Sequence, residues 1–167
     1  MDECHFQQHG SCLAAWFPKD EKDPIVLHTP TRKKVGIIGA VKADDGTLVA
    51  NEEDKFNAET VEAFFEKLIK HRQNGKTMVV ILDNARFHHA KALSGWLEDH
   101  SENLRLDFLP PYSPELNHIE RVWKLLRRKC THNQYFNQLD DLHQAVFDKI
   151  SEWTSPNEDL AQLCAIN

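Results

Sequence analysis

The spacing of apolar residues changes along this chain, and each change marks an element. Val35-Gly36-Ile37-Ile38-Gly39-Ala40-Val41 is an unbroken apolar run that predicts a buried strand, and Asp44-Asp45-Gly46 turns it into a partner, Thr47-Leu48-Val49-Ala50. From Ala58 to His71, Val61, Phe64, Phe65, Leu68 and Ile69 recur at three and four, which predicts an amphipathic helix stopped by Asn74-Gly75. A strand at 78–83 follows, then a helix around 89–100 holding Leu93, Trp96 and Leu97, and a short strand from Leu104 to Phe108. After Ser113 a helix carries Ile119, Val122, Trp123 and Leu126 on one stripe, and a last helix near 139–153 carries Leu142, Val146, Ile150 and Trp153. The segment from Asp2 to Trp16 is mixed, while Phe17 to Thr31, with three prolines, reads as an exposed connection. A hairpin followed by alternating strands and helices predicts an α/β fold, with a mixed sheet covered by helices on both faces.

A chain of 167 residues, 41% of them hydrophobic, can bury one core, so a single domain over 1–167 is expected. No eighteen-residue apolar run and no signal segment is present, which predicts a cytoplasmic protein without a membrane partner. Cys4, Cys12, Cys130 and Cys164 are scattered, as expected of reduced thiols. The net charge of −6 argues against DNA binding on average, but Arg121, Lys124, Arg127, Arg128 and Lys129 cluster within nine residues, as a basic strip for phosphate contact or a solvated helix face.

Two acids stand where the chain puts them at element ends. Asp83 follows the apolar run Met78-Val79-Val80-Ile81-Leu82, where a buried strand delivers a carboxylate at its tip; the structural alternative is that Asp83 or Asn84 caps the next helix. Pro110-Pro111-Tyr112-Ser113-Pro114 is a rigid turn into a helix, so Glu120 lies near that helix's start. Its structural alternative is sharper, since Asn117 as N-cap would make Glu120 part of a capping box. Helical spacing places Glu120 at the edge of the apolar stripe, with Lys124 and Arg127 along the same side. Asp2 would complete an all-oxygen set suited to Mg²⁺ or Mn²⁺, although the α-amino group beside it competes with a cation. Glu3 is its substitute.

Four stretches, in order, resemble the mariner superfamily of Asp-Asp-Glu transposases, particularly its bacterial insertion-sequence branch: Asp2-Glu3; Gly39-Ala40-Val41; Leu82-Asp83-Asn84-Ala85 with His88; and Leu109 to Trp123. Trp16 stands where such sequences often carry a tryptophan. The resemblance runs over about residues 1–130 and departs from the family at His118, where a proline is common. It implies a ribonuclease-H-like core of about 1–130 with a helical part at about 131–167. It also implies a central first strand, truncated here, since almost nothing precedes Asp2. Asp2, Asp83 and Glu120 become the metal ligands and catalytic acids, holding two Mg²⁺ or Mn²⁺ ions.

The implied function is cleavage of DNA at element ends and transfer of the 3′ end to target DNA, with a homodimer acting on paired ends. His88, Arg121, Lys124, Arg127 and Arg128 are the candidate DNA contacts. A ribonuclease-H-like nuclease without joining activity, or an inactive remnant that binds DNA weakly, are the rival readings. Cys4, His5, His9 and Cys12 would offer zinc four ligands, but at no common knuckle spacing. Arg32-Lys33-Lys34 is a further basic segment, and Tyr112 is expected to be exposed in its turn, while Trp96, Trp123 and Trp153 belong to the core.

Overall fold

The computed structural model describes the chain except for residues 15, 17, 21–24, 26, 28, 166 and 167. The mixed segment after Asp2 forms a strand, β1 (Asp2–Gln7), which lies antiparallel to β2 (Lys34–Val41), itself antiparallel to β3 (Leu48–Glu52). Helix α1 (Ala58–Ile69) leads to β4 (Met78–Leu82), and a 3-10 turn (Arg86–His89) with α2 (Lys91–Asp99) carries the chain to β5 (Leu104–Phe108), parallel to β4. A second 3-10 turn (Pro114–Leu116) precedes α3 (Ile119–Cys130), α4 (Leu139–Ser151) and α5 (Glu158–Cys164). The two ladders meet where the Met1 amine donates to the Ile81 carbonyl at 2.7 Å, so β4 lies beside β1.

Strand alternation gives the three-stranded ladder two buried faces. Cys4, Phe6, Val35, Ile37 and Leu48 pack against α3, α4 and α5, while Ile38 and Val49, with Met1, pack against α1 and α2. Apart from β1, these are the helices and strands the apolar spacing predicts, with three differences. The helix after Ser113 is broken at Asn117-His118, and α2 is preceded by a 3-10 turn rather than reaching back to residue 89. Helix α5 was not foreseen, because seven residues with Leu160 and Cys164 buried are too few to establish a period. The strand expected to be truncated runs forward from Asp2 and pairs with β2 over all six residues. Residues 17, 21–24, 26 and 28 of the proline-rich connection lie outside the described residues. Among the described residues no helix is long and apolar enough to cross a membrane. None of the four cysteines is in a disulfide.

One contact decides how closely α3 approaches the sheet. Gly39, the ladder partner of Asp2, lies under the fully buried Trp123, and a Cβ there would stand 2.6 Å from Trp123 Cη2. A ring against a bare backbone lets α3 sit close to β1 and β2. Gly39→Ala is therefore expected to destabilise the fold by about 1–3 kcal/mol through overpacking, read as a lower urea midpoint at constant m-value.

Candidate active site

Asp2, Asp83 and Glu120 line one cleft of about 470 Å³, together with Asn84 and the turn from Leu109 to Pro114. Each carboxylate arrives by a different local rule. Asp2 is the first residue of β1 and shares the α3 side of the strand with Cys4 and Phe6. Asp83 follows the last residue of β4, where its Oδ1 accepts from the Ala85 amide at 3.0 Å. Glu120 is in the first turn of α3, three residues before Trp123, so the ring that packs on Gly39 also sets Glu120 over Asp2.

The capping alternatives offered by Asn117 with Glu120 and by Asn84 do not hold. Asn117 is no cap: its side chain is buried and donates to the Met1 carbonyl at 3.2 Å, tying the start of α3 to the start of β1. The residue at the cap position, His118, makes no side-chain cap bond, so Glu120 is not half of a capping box. Asn84 does not cap either; it donates to the Leu109 carbonyl, and its Oδ1 lies 3.2 Å from His89 Nε2. Asn84 and Asn117 are site residues that sequence reasoning misassigned.

Glu3 is corrected as a substitute for Asp2. The pleat sends it to the opposite face, where its Oε1 meets His88 Nε2 at 3.0 Å. His88 is likewise corrected as a DNA contact: its side chain is 0% exposed, so it cannot reach a phosphate. Its Nδ1 lies 3.1 Å from Asp83 Oδ1 and 3.2 Å from the Asp83 carbonyl. Acceptor oxygens thus face both ring nitrogens, which only the doubly protonated ring satisfies. Burial opposes that charge, but the hydrogen bond and charge of Glu3, with Asp83, outweigh it and raise the His88 pKa. His88 is a buried strut under Asp83.

Among the basic candidates, Lys124 and Arg128 are exposed one and two turns beyond Glu120. Arg121 is diverted to the Leu163 carbonyl at 3.0 Å, and Arg127 lies over the Phe6 ring at 5.4 Å. Tyr112 is fully exposed in the left-handed region, φ 59°, at the rim of the cleft. The zinc tetrad does not form. Cys4 is buried in the core, and His5, on the other face of β1, packs tilted against Phe56 with ring centroids 4.9 Å apart.

Charge in the cleft is unbalanced. Burial pushes the Asp2 carboxyl up to about 7, and Glu120 and then Glu3 add to the shift by repulsion. The Met1 amine offsets this only as the last and smallest cause; burial pushes its own pKa down to about 6, and it donates to the Ile81 carbonyl. A divalent cation fits this deficit and the hard oxygen donors. Among the described residues no three His, Cys, Asp or Glu side chains converge enough to enclose an ion by themselves. The folded Asp2 carboxyl holds its proton to higher pH than the unfolded one, so folding takes up a proton between about 4 and about 7. Metal-free stability is expected to fall as pH rises across that window, and Asp2→Asn or added Mg²⁺ to flatten the fall, as measured by thermal melts at several pH values.

Residues 1–143 match the family model for DDE superfamily endonucleases. A protein of insertion element IS630 from Shigella sonnei is 24% identical over 146 residues, covering 87% of this chain and 42% of that protein. An uncharacterized protein from Sinorhizobium fredii is 39% identical over 69 residues, 41% of this chain and 47% of that one. The Mos1 transposase in its paired-end complex with the left transposon end shares the fold, with TM-score 0.72 at 16% identity over 98% of this chain and 49% of that one. A Mos1 mariner paired-end complex with Mn superposes with TM-score 0.66 at 16% identity over 98% and 50%. The chain thus spans about half the length of the proteins it matches. On the match over residues 1–143, the chain belongs to the DDE superfamily endonuclease family.

Proposed function

We propose that this chain is the catalytic domain of a transposase, cutting DNA at element ends with divalent metal and joining the freed 3′ hydroxyl to target DNA. The observation that carries the reading is that Asp2, Asp83 and Glu120, remote in sequence, all line one cleft. The family match and the Mn-containing Mos1 complex of the same fold support it.

Asp2, Asp83 and Glu120 would hold the metal, Mg²⁺ or Mn²⁺, as a pair of ions. The metal when bound neutralises phosphate charge and lowers the pKa of the attacking water. The rest falls to the chain's own residues. His88 fixes the Asp83 carboxylate from beneath, and Asn117 fixes the backbone beside Asp2. The exposed Lys124 and Arg128 offer phosphate contacts along α3, which position DNA without reading its sequence. With a net charge of −6 and few such contacts, DNA binding by this chain is weak and falls with salt.

The test is incubation with end-labelled element-end duplex and a supercoiled target in Mn²⁺ or Mg²⁺. Nicked and joined products that need the metal, and that Asp83→Ala loses, are expected. Cleavage without joined product would reduce the reading to a nuclease, and no metal-dependent product on any DNA would overturn it.

A further inference from the structure

The lining of the cleft divides by chemistry. Asp2, Asp83 and Glu120 bring its negative charge, whereas the turn from Leu109 to Pro114 contributes no charged group and, in Tyr112, the one aromatic ring among the described residues of the lining. A nucleotide divides the same way, into an anionic phosphate and a base with a π-face on either side. The proposed function places the phosphate at the acids, so the base of that nucleotide falls to the turn.

The turn holds Tyr112 stiffly and outward. Pro110, Pro111 and Pro114 have fixed φ. On the incoming side the Leu109 amide donates to the Leu82 carbonyl at 2.9 Å and Asn84 donates to the Leu109 carbonyl, so the turn starts beside Asp83. On the outgoing side the Asn117 amide donates to the Pro114 carbonyl at 3.0 Å, and the Asn117 side chain is tethered to Met1. Between these anchors Tyr112 takes φ 59° and is 101% exposed. Asn133 is the other non-glycine residue at positive φ among the described residues, and asparagine visits that region readily, whereas a bulky side chain there is an outlier. Glycine would make this turn with less strain, and a solvated ring returns nothing to the fold by burial. Strain kept at the mouth of a cleft, with no packing to offset it, marks a functional position.

We propose that Tyr112 is a stacking platform for one unpaired base of the DNA, that of the nucleotide next to the phosphate held at the three acids. Inside a duplex each base face is covered by its neighbours, so the ring can take only a base that has left the stack, at least cost where the DNA is already frayed or single-stranded. Every base has such a face, so the contact favours unpaired DNA without choosing a sequence. The inference rests on the proposed function and adds to it a contact that is neither a metal ligand nor a phosphate contact.

The test uses two probes, a short duplex with a single-stranded deoxyadenosine tail and the same duplex with an abasic tail of equal length and charge, each titrated with the full chain in Ca²⁺. The parent should bind the adenine tail roughly tenfold more tightly than the abasic one. Tyr112→Ala should bind the two tails equally, with Mn²⁺ affinity and melting temperature as in the parent, and Tyr112→Phe should keep the preference, because stacking needs the ring and not the hydroxyl. Tyr112→Gly should lose the preference yet melt no lower than the parent, since glycine suits the left-handed turn. Equal binding of both tails by the parent, a preference that survives Tyr112→Ala, or one that Tyr112→Phe also loses overturns the platform and leaves the proposed function standing. A parent chain that binds neither tail sinks both.

Discussion

Glu120→Gln is expected to abolish metal-dependent DNA cleavage while leaving the metal-free protein as stable as before or more so. The carboxylate and amide are nearly the same size, so α3 keeps its packing, and Asp2 loses the neighbour that repels it. The lost ligand should cost several kcal/mol of transition-state stabilisation, and at ~4 kcal/mol that is about a thousandfold in rate. The pair of readouts separates the two roles this acid could have. A structural helix-start acid would lose stability on substitution and leave cleavage to follow folding; a metal ligand loses cleavage with folding intact. Initial rates in Mn²⁺, read beside urea unfolding without metal, check the outcome. Cleavage within tenfold of the parent would remove Glu120 from the site.

The reach of the sequence was uneven for physical reasons. Helices α1, α3 and α4 were legible because each buries three or more residues at helical spacing against one sheet, and β2, β4 and β5 because their apolar runs are short and bounded. Asp83 and Glu120 were legible because strand tip and helix start are local features. Strand β1 was not, since only Cys4 and Phe6 carry its apolar alternation and its stability comes from six cross-strand pairs with β2. The roles of Glu3 and His88 were also hidden. Their contact joins residues 85 apart in sequence, and knowing which face of β1 Glu3 takes requires first knowing that β1 is a strand. Asn117 was misread for a related reason. A cap and a cross-element tether use the same side-chain chemistry, and only the position of Met1 decides between them. The family resemblance supplied Asp2, which local reasoning could place only as a chain-end acid.

Trp123→Ala should have the largest effect on the fold and, through it, on the site. Trp123 is 0% exposed and fills the space between α3 and the bare backbone of Gly39. Removing a buried indole costs about 3–5 kcal/mol, against a total of about 5–15 kcal/mol for a domain, so this variant should be partly unfolded or close to it at 37 °C. Trp123→Phe should recover most of the loss, because Trp123 Nε1 is buried without a hydrogen-bond partner among the described residues and its removal strands no acceptor there. The same ring fixes the height of Glu120 over Asp2, so Trp123→Phe, though folded, should show weaker Mn²⁺ binding by calorimetry than the parent. A double variant, Gly39→Ala with Trp123→Phe, separates packing from position. If the smaller ring makes room for the alanine methyl, the two stability losses will add to less than their sum, the coupling expected of residues in contact. Strict additivity would show that Gly39 and Trp123 act independently, and that the spacing of Asp2 and Glu120 is set elsewhere.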